Sequence, residues 1–216
     1  MTFKQFFLIP VVIAILAFFL MLVDLGSQHC PNYGHYFVVW IAFQAWAMYF
    51  MAGCTLKTGV KVMLGYLGGA VASIAIMELG GVLGTSMPFL GSMAGPIAVL
   101  IIVVPVICSE RVPMFDFVPA WFVGAGVFFG LTILSGAQSN IRLLKTAFGG
   151  SGTVETALKG VDPLASGHLD VMFACLFSCL VGVIFGIVTV AFRTKYEASL
   201  KLNADAPATA ESGSEE

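Results

Sequence analysis

Residues 5–26 read QFFLIPVVIAILAFFLMLVDLG, with Asp24 the one charged side chain. A hydrocarbon layer about 30 Å thick is crossed by roughly 20 apolar residues rising 1.5 Å each, so this stretch is long enough to span it. Lys4 gives it the basic start of a secretory signal. Its apolar run nevertheless exceeds the roughly 7–15 residues of such a signal, and no small-x-small cleavage site follows, so it reads as a retained helix. The other residues repeat the message. Of 216 residues, 59% are hydrophobic and 10% charged, with a mean hydropathy of +0.98; soluble domains sit near roughly 45–50% apolar. A water-soluble globular enzyme does not fit that composition. Ten Lys and Arg against twelve Asp and Glu leave no basic surface for a phosphate backbone, so nucleic-acid binding is set aside.

Outward from that first stretch, five further apolar segments separate between polar breaks, which predicts an all-α membrane protein of about six transmembrane helices in one bundle. The second covers 36–54 and opens with the interface aromatics Tyr36, Phe37 and Trp40, followed by a tight turn at 55–59. The third, 60–83, is glycine-rich and carries Glu78. The fourth, 86–108, holds Pro88, Pro96 and Pro105; proline removes a backbone bond inside a helix, so a short helix is expected from Pro96 behind a Gly/Pro-broken, irregular lead-in near 86–96. The fifth spans 118–135, with Pro119 acceptable in its first turn, and the sixth 169–193. Between them, 136–167 reads as an outer surface loop. The transmembrane domain is thus placed at 1–195 and an acidic, disordered cytoplasmic tail at 196–216, where no apolar period remains to offset the entropy of ordering.

Lys and Arg are retained on the cytoplasmic side of membrane helices. With both termini inside, Lys4, Lys57, Lys61, Arg111, Arg193, Lys195 and Lys201 are cytoplasmic, against Arg142, Lys145 and Lys159 outside. That distribution predicts a multi-pass protein of the inner membrane with both ends in the cytoplasm.

The run Phe117-Val118-Pro119-Ala120-Trp121-Phe122-Val123-Gly124 resembles the FVPxxFxG motif of the YcdZ-like small bacterial inner-membrane proteins, a family known only as a domain of unknown function. Leu180-Val181-Gly182-Val183-Ile184-Phe185-Gly186 is similar to that family's LGLIFG stretch, and Cys54 with Leu56-Lys57 precedes a glycine-rich helix in the same manner. The resemblance covers about 36–190. It implies an inner-membrane location and a compact helical bundle, and it brings no established activity or catalytic residues. The 136–167 insertion and the acidic tail depart from the pattern.

Among individual residues Glu78 stands out, because an ionisable side chain in a membrane helix costs several kcal/mol unless it faces protein or water. Counted from a helix centre near Val71, it lies roughly 10 Å toward the outer side. It either lines a solute or proton path or is a hydrogen-bonded structural group near the interface. Gln44 lies mid-helix and Ser73 five residues before Glu78; each polar group must find a partner, structural or ligand. Gly95 marks the broken helix, whose new N-terminus presents unpaired N–H groups. Glycines four apart, at Gly65 and Gly69, Gly80 and Gly84, Gly126 and Gly130, and Gly182 and Gly186, line up for close helix packing, within one chain or between copies.

His29, Cys30, His35 and His168, with Asp24, Asp162 and Asp170, are metal-ligand types, but their spacing matches no compact template and no metal site is expected. Cys54, Cys108, Cys175 and Cys179 fall at the cytoplasmic end or within helices, so no disulfide framework is expected. No P-loop, dinucleotide motif, triad order or HExxH is present, and neither an enzyme nor a cofactor is expected. The expected function is a channel or transporter for a small solute, with Glu78, Gln44, Ser73 and Gly95 on its path. The alternative is a scaffold or subunit that oligomerises or anchors a partner protein. Expected partners are the lipid bilayer, a small-molecule solute and a second copy of the chain.

Overall fold

The computed structural model describes residues 3–27, 37–136 and 168–205. These are helical apart from short turns, with no strand among them. The helices are α1 (Phe3–Ser27), α2 (Val39–Met51), α3 (Leu56–Ser86), α4 (Ala94–Cys108), α5 (Val118–Gly136) and α6 (His168–Asp205). Among the described residues, four helical segments are long and apolar enough to cross a membrane: Gln5–Ser27, Leu56–Ser86, Pro88–Arg111 and Val171–Leu202. The protein is therefore a helical membrane protein. Val39–Met51 and Val118–Thr132 are apolar but shorter.

The second expected crossing is where helix and expectation part most. Its 13 residues rise about 20 Å, short of a full crossing on their own. On the C-terminal side, Gly53 (φ 104°) and Cys54 (φ 61°) turn the backbone left-handed, which ends the helix. On the N-terminal side Val38 is extended, and its N–H is donated to Ser178 Oγ of α6 at 2.8 Å instead of to a helical carbonyl. The next helix begins at a capping box, in which Thr58 N–H bonds Thr55 Oγ1 at 3.1 Å and Thr55 N–H bonds Thr58 Oγ1 at 2.9 Å.

The broken segment takes the form of a 3-10 turn over Pro88–Met93, with Gly91 at φ 50°, leading into α4 at Ala94. Pro96 lies in the first turn of α4, where its missing N–H costs nothing. The expected surface loop at 136–167 lies, from 137 on, outside the described residues, as do 206–216. Helical structure in 196–205 corrects the expectation of a disordered stretch from 196 onward. Arg193 and Glu197 pair one turn apart at 2.8 Å, Phe192 stacks on Tyr196, and the Tyr196 hydroxyl donates to the Gln5 carbonyl of α1 at 2.9 Å. Those contacts supply what an apolar stripe would otherwise have to give.

Two parallel helix pairs build the centre. Along α3 and α5 the partners keep a constant offset of 55 residues: Lys61 meets Asp116, Gly65 meets Ala120, and Gly69 meets Gly124 and Ala125. Along α2 and α6 the offset is 140: Val38 meets Ser178, Ala42 meets Gly182, and Trp46 meets Gly186. Tyr66, Phe128, Leu131, Val171, Cys175 and Cys179 fill the space between the pairs and are completely or almost completely buried. α4 folds back antiparallel on the far half of α3, with Gly80 facing Ala98 and Gly84 facing Ala94. α1 lies on α2 and α6 through a second cluster around Leu20, Phe37, Ala42 and Trp46. The broad apolar faces left open on α1 and α4 suit lipid.

Candidate functional site

Ionisable side chains fall into two layers at opposite ends of the bundle. Successive helices run in alternate directions, so the starts of α1, α3 and α5 share one end with the finishes of α2, α4 and α6. At that end lie Lys57, Lys61, Arg111, Arg193, Lys195 and Lys201, all the Lys and Arg of the described residues apart from Lys4, which opens α1 at the same end. The other half of the bundle carries Asp24, Glu78 and His168.

At the basic end, Lys61 Nζ and Asp116 Oδ2 are 2.6 Å apart and tie the start of α3 to the segment that leads into α5. The bond from Lys61, together with the positive charges of Lys61 and Lys57, holds the Asp116 carboxyl below its ordinary range. A depressed carboxyl pKa makes the pair's contribution present above the ordinary Asp range and lost only as the pH falls through the lowered value. The parent and Asp116→Asn are thus expected to differ in melting temperature by a constant small amount near neutral pH. That difference should close only below the ordinary Asp range. Closure already near neutrality would mean that the pair does not stabilise the fold.

At the other end, His168 Nε2 lies 3.1 Å from Glu78 Oε1. Glu78 is 17 residues beyond Lys61 on α3, about 26 Å along the axis, and the apolar helix continues for eight more residues to Ser86. The carboxylate therefore lies inside the apolar span rather than past its end. Its partner is the first residue of α6, and the positive end of that helix dipole favours a nearby carboxylate. The two side chains are unequally covered: 68% of Glu78 is exposed against 26% of His168. The imidazole lies tilted against Phe128 with ring centroids 6.2 Å apart, and its Nδ1 is buried without a hydrogen-bond partner among the described residues. One face of the pair is thus open and the other holds an unused polar atom.

The other expected path residues do not join it. Gln44 lies on the exposed side of α2 and lines a groove of about 350 Å³ against α5, facing Trp40, Val123 and Gly126. Its amide makes no hydrogen bond among the described residues. By the constant α2–α6 offset it is level with residue 184 of α6, 16 residues or about 24 Å below His168. Ser73 is fully buried and donates its hydroxyl to the carbonyls of Gly69, at 2.9 Å, and of Ala125, at 3.3 Å, which ties α3 to α5. Gly95 sits beside Gly80 near the start of α4, with no side chain near where a Cβ would point.

The packing glycines divide too. A Cβ on Gly65, Gly69, Gly182 or Gly186 would collide with a facing helix: with Ala120, with the Trp121 carbonyl and Ala125 N, with the Ala42 carbonyl, and with the Tyr49 ring respectively. Gly126 instead faces open space, and Gly130 is 3.9 Å from Trp40 at its nearest. On α5 the glycine in close contact is Gly124, pressed on the Tyr66 backbone. The four-residue spacing that picked out Gly126 and Gly130 was blind to which face meets α3. Gly126 lines two grooves at once, that of Gln44 and one of about 280 Å³ between α3, α4 and α5.

Sequence reasoning found Glu78 but not its partner. His168 stood among loop residues as a metal-ligand type, 90 positions away. The usable signal was physical: an intramembrane carboxylate needs a partner, and His168 opens a long apolar helix that starts on that side.

The family described as protein of unknown function, DUF1097, matches residues 10–192. The chain belongs to this family. The DUF1097 match runs from the third turn of α1 to beyond the middle of α6, so it takes in both parallel helix pairs and the Glu78–His168 contact. No curated protein and no solved structure matches the chain.

Proposed function

We propose that this DUF1097 protein is a six-crossing protein of the bacterial inner membrane that moves a small solute, with Glu78 and His168 as the proton-exchanging or solute-contacting pair. The observation that carries this reading is the pair itself: a carboxylate and an imidazole joined across two helices, inside an apolar span, with the carboxylate open on one side. Such side chains are expensive in a membrane, and they are the groups from which proton relays and solute paths are built. The unpaired Gln44 amide, in a groove of its own beside Gly126, would be a separate solute contact. The finer likeness to the YcdZ-like proteins belongs to this reading, as does the absence of catalytic or cofactor chemistry.

In this reading α2 and α5 complete their crossings with help from their longer neighbours, and the basic end faces the cytoplasm by the retention of Lys and Arg on that side. Reporter fusions in the 52–55 turn and after residue 205 should both give cytoplasmic signals, and one at Ser151 a periplasmic signal. A cytoplasmic signal at Ser151 would remove the six-crossing arrangement. The function itself is tested by reconstituting the purified chain in liposomes and screening uptake of small anions, weak acids and neutral polar solutes.

A scaffold is the second reading. What favours it is the separation of Glu78, Gln44, Ser73 and Gly95, together with the open apolar faces of α1 and α4, on which a second copy or another membrane protein could pack. Absence of uptake for every class in the screen would select it.

A further inference from the structure

We propose that the basic end of the bundle holds one anionic phospholipid, its phosphate on Arg193. A cleft of about 470 Å³ opens between α1, the end of α2 and α6, within the roughly 300–1,000 Å³ of ligand sites. Its walls change character along their length. Ile13, Phe50 and Val190 supply apolar surface, whereas Arg193, Thr194 and Glu197 supply polar groups farther along α6.

Arg193 is only half used. Its Nε donates to Glu197 Oε1 at 2.8 Å, and its two terminal nitrogens bond no acceptor among the described residues. A guanidinium whose outer fork is free matches the paired oxygens of a phosphodiester. The floor of the cleft includes Cys54, whose left-handed backbone (φ 61°) is a strained conformation for a residue with a side chain, and such strain concentrates at binding sites.

The mixed lining decides the chemistry of the occupant. A free phosphate would use the polar wall and leave Ile13 and Phe50 bare. A phospholipid places its headgroup on Arg193 and its chains against the apolar wall and the open face of α1. Lys57, Lys61, Lys195 and Lys201, at the same end of the bundle, attract an anionic leaflet there.

Native mass spectrometry of the full chain in detergent, loaded with an equimolar mixture of phosphatidylglycerol and phosphatidylcholine, tests the site. The parent should retain one phosphatidylglycerol in preference, and Arg193→Gln should lower that retention by about fivefold while melting close to the parent, because the exposed one-turn pair with Glu197 adds little stability. Glu197→Gln removes the carboxylate that competes for the guanidinium and should raise retention, a gain that misfolding cannot imitate. Arg111→Gln, at the same end but away from the cleft, should change nothing. Equal retention by Arg193→Gln and the parent, or by Glu197→Gln and the parent, overturns the site. Displacement of the lipid by millimolar inorganic phosphate, which then stays bound itself, overturns the lipid in favour of a free anion.

Discussion

Glu78→Gln is expected to cut solute flux in proteoliposomes at least about tenfold, equivalent to about 1.4 kcal/mol in the limiting barrier, while the purified protein melts near the parent. The amide keeps the size of the carboxylate and can still bond His168 Nε2 across the 3.1 Å contact, so packing and helix register stay in place. What disappears is the charge and the site for a proton. His168→Gln should reproduce the loss, and the double variant should be no worse than either single one, because partners in one contact do not add. Glu78→Leu separates function from fold. It leaves the half-buried imidazole with no partner at all and should lower stability by about 1–3 kcal/mol as well as abolish flux. Flux unchanged in Glu78→Gln and His168→Gln would remove the pair from the mechanism, whatever the solute.

The second large effect lies in packing. Gly69→Val puts two methyl groups where the Trp121 carbonyl and the Ala125 amide already stand, and α3 cannot withdraw without breaking the Ser73 bond to Ala125 and the Lys61–Asp116 pair. Overpacking of this kind costs about 1–3 kcal/mol and more where backbone is the obstacle. Gly69→Val is therefore expected to melt far below the parent or to fail to accumulate. Gly126→Val, the same change at a glycine that faces open space, should fold like the parent and act only by narrowing the grooves it lines. Similar melting of the two variants would show that α3 and α5 do not touch along Gly65, Gly69 and Gly124.

The contrast between these two glycines measures what was legible in the chain. Hydropathy and the punctuation by proline and glycine place the helices to within a few residues, apart from the far end of α6, because helix length and apolar character are local properties. The short α2 was not legible: its start is set by a bond from Val38 to Ser178, 140 positions away, which no local pattern encodes. Glycine spacing marks a face but not which neighbour that face meets, so Gly65, Gly69, Gly182 and Gly186 and the loosely packed Gly126 and Gly130 looked alike. Glu78 was visible because charge in an apolar run is a local anomaly, whereas His168 acquired its meaning only from the fold. The continuation of α6 through Asp205 rests chiefly on Tyr196, bonded to α1 and stacked on Phe192, with a small addition from the exposed Arg193–Glu197 pair, and these are invisible to an apolar-period count.

The 140-residue separation between α2 and its partner also sets an order of assembly. At about 5–20 residues per second, α6 leaves the ribosome roughly 7–28 s after α2. Throughout that interval the face of α2 made of Ile41, Ala42, Ala45, Trp46 and Tyr49 has no α6 to bury it. α3 and α5, only 55 residues apart, are joined long before. The nascent protein is thus a half-built bundle with a short, unsheltered helix, and a chain arrested ahead of residue 178 presents that helix to whatever insertion chaperone or membrane protease patrols incomplete proteins. Ser178 and Gly182 supply, last of all, the contacts that cover α2.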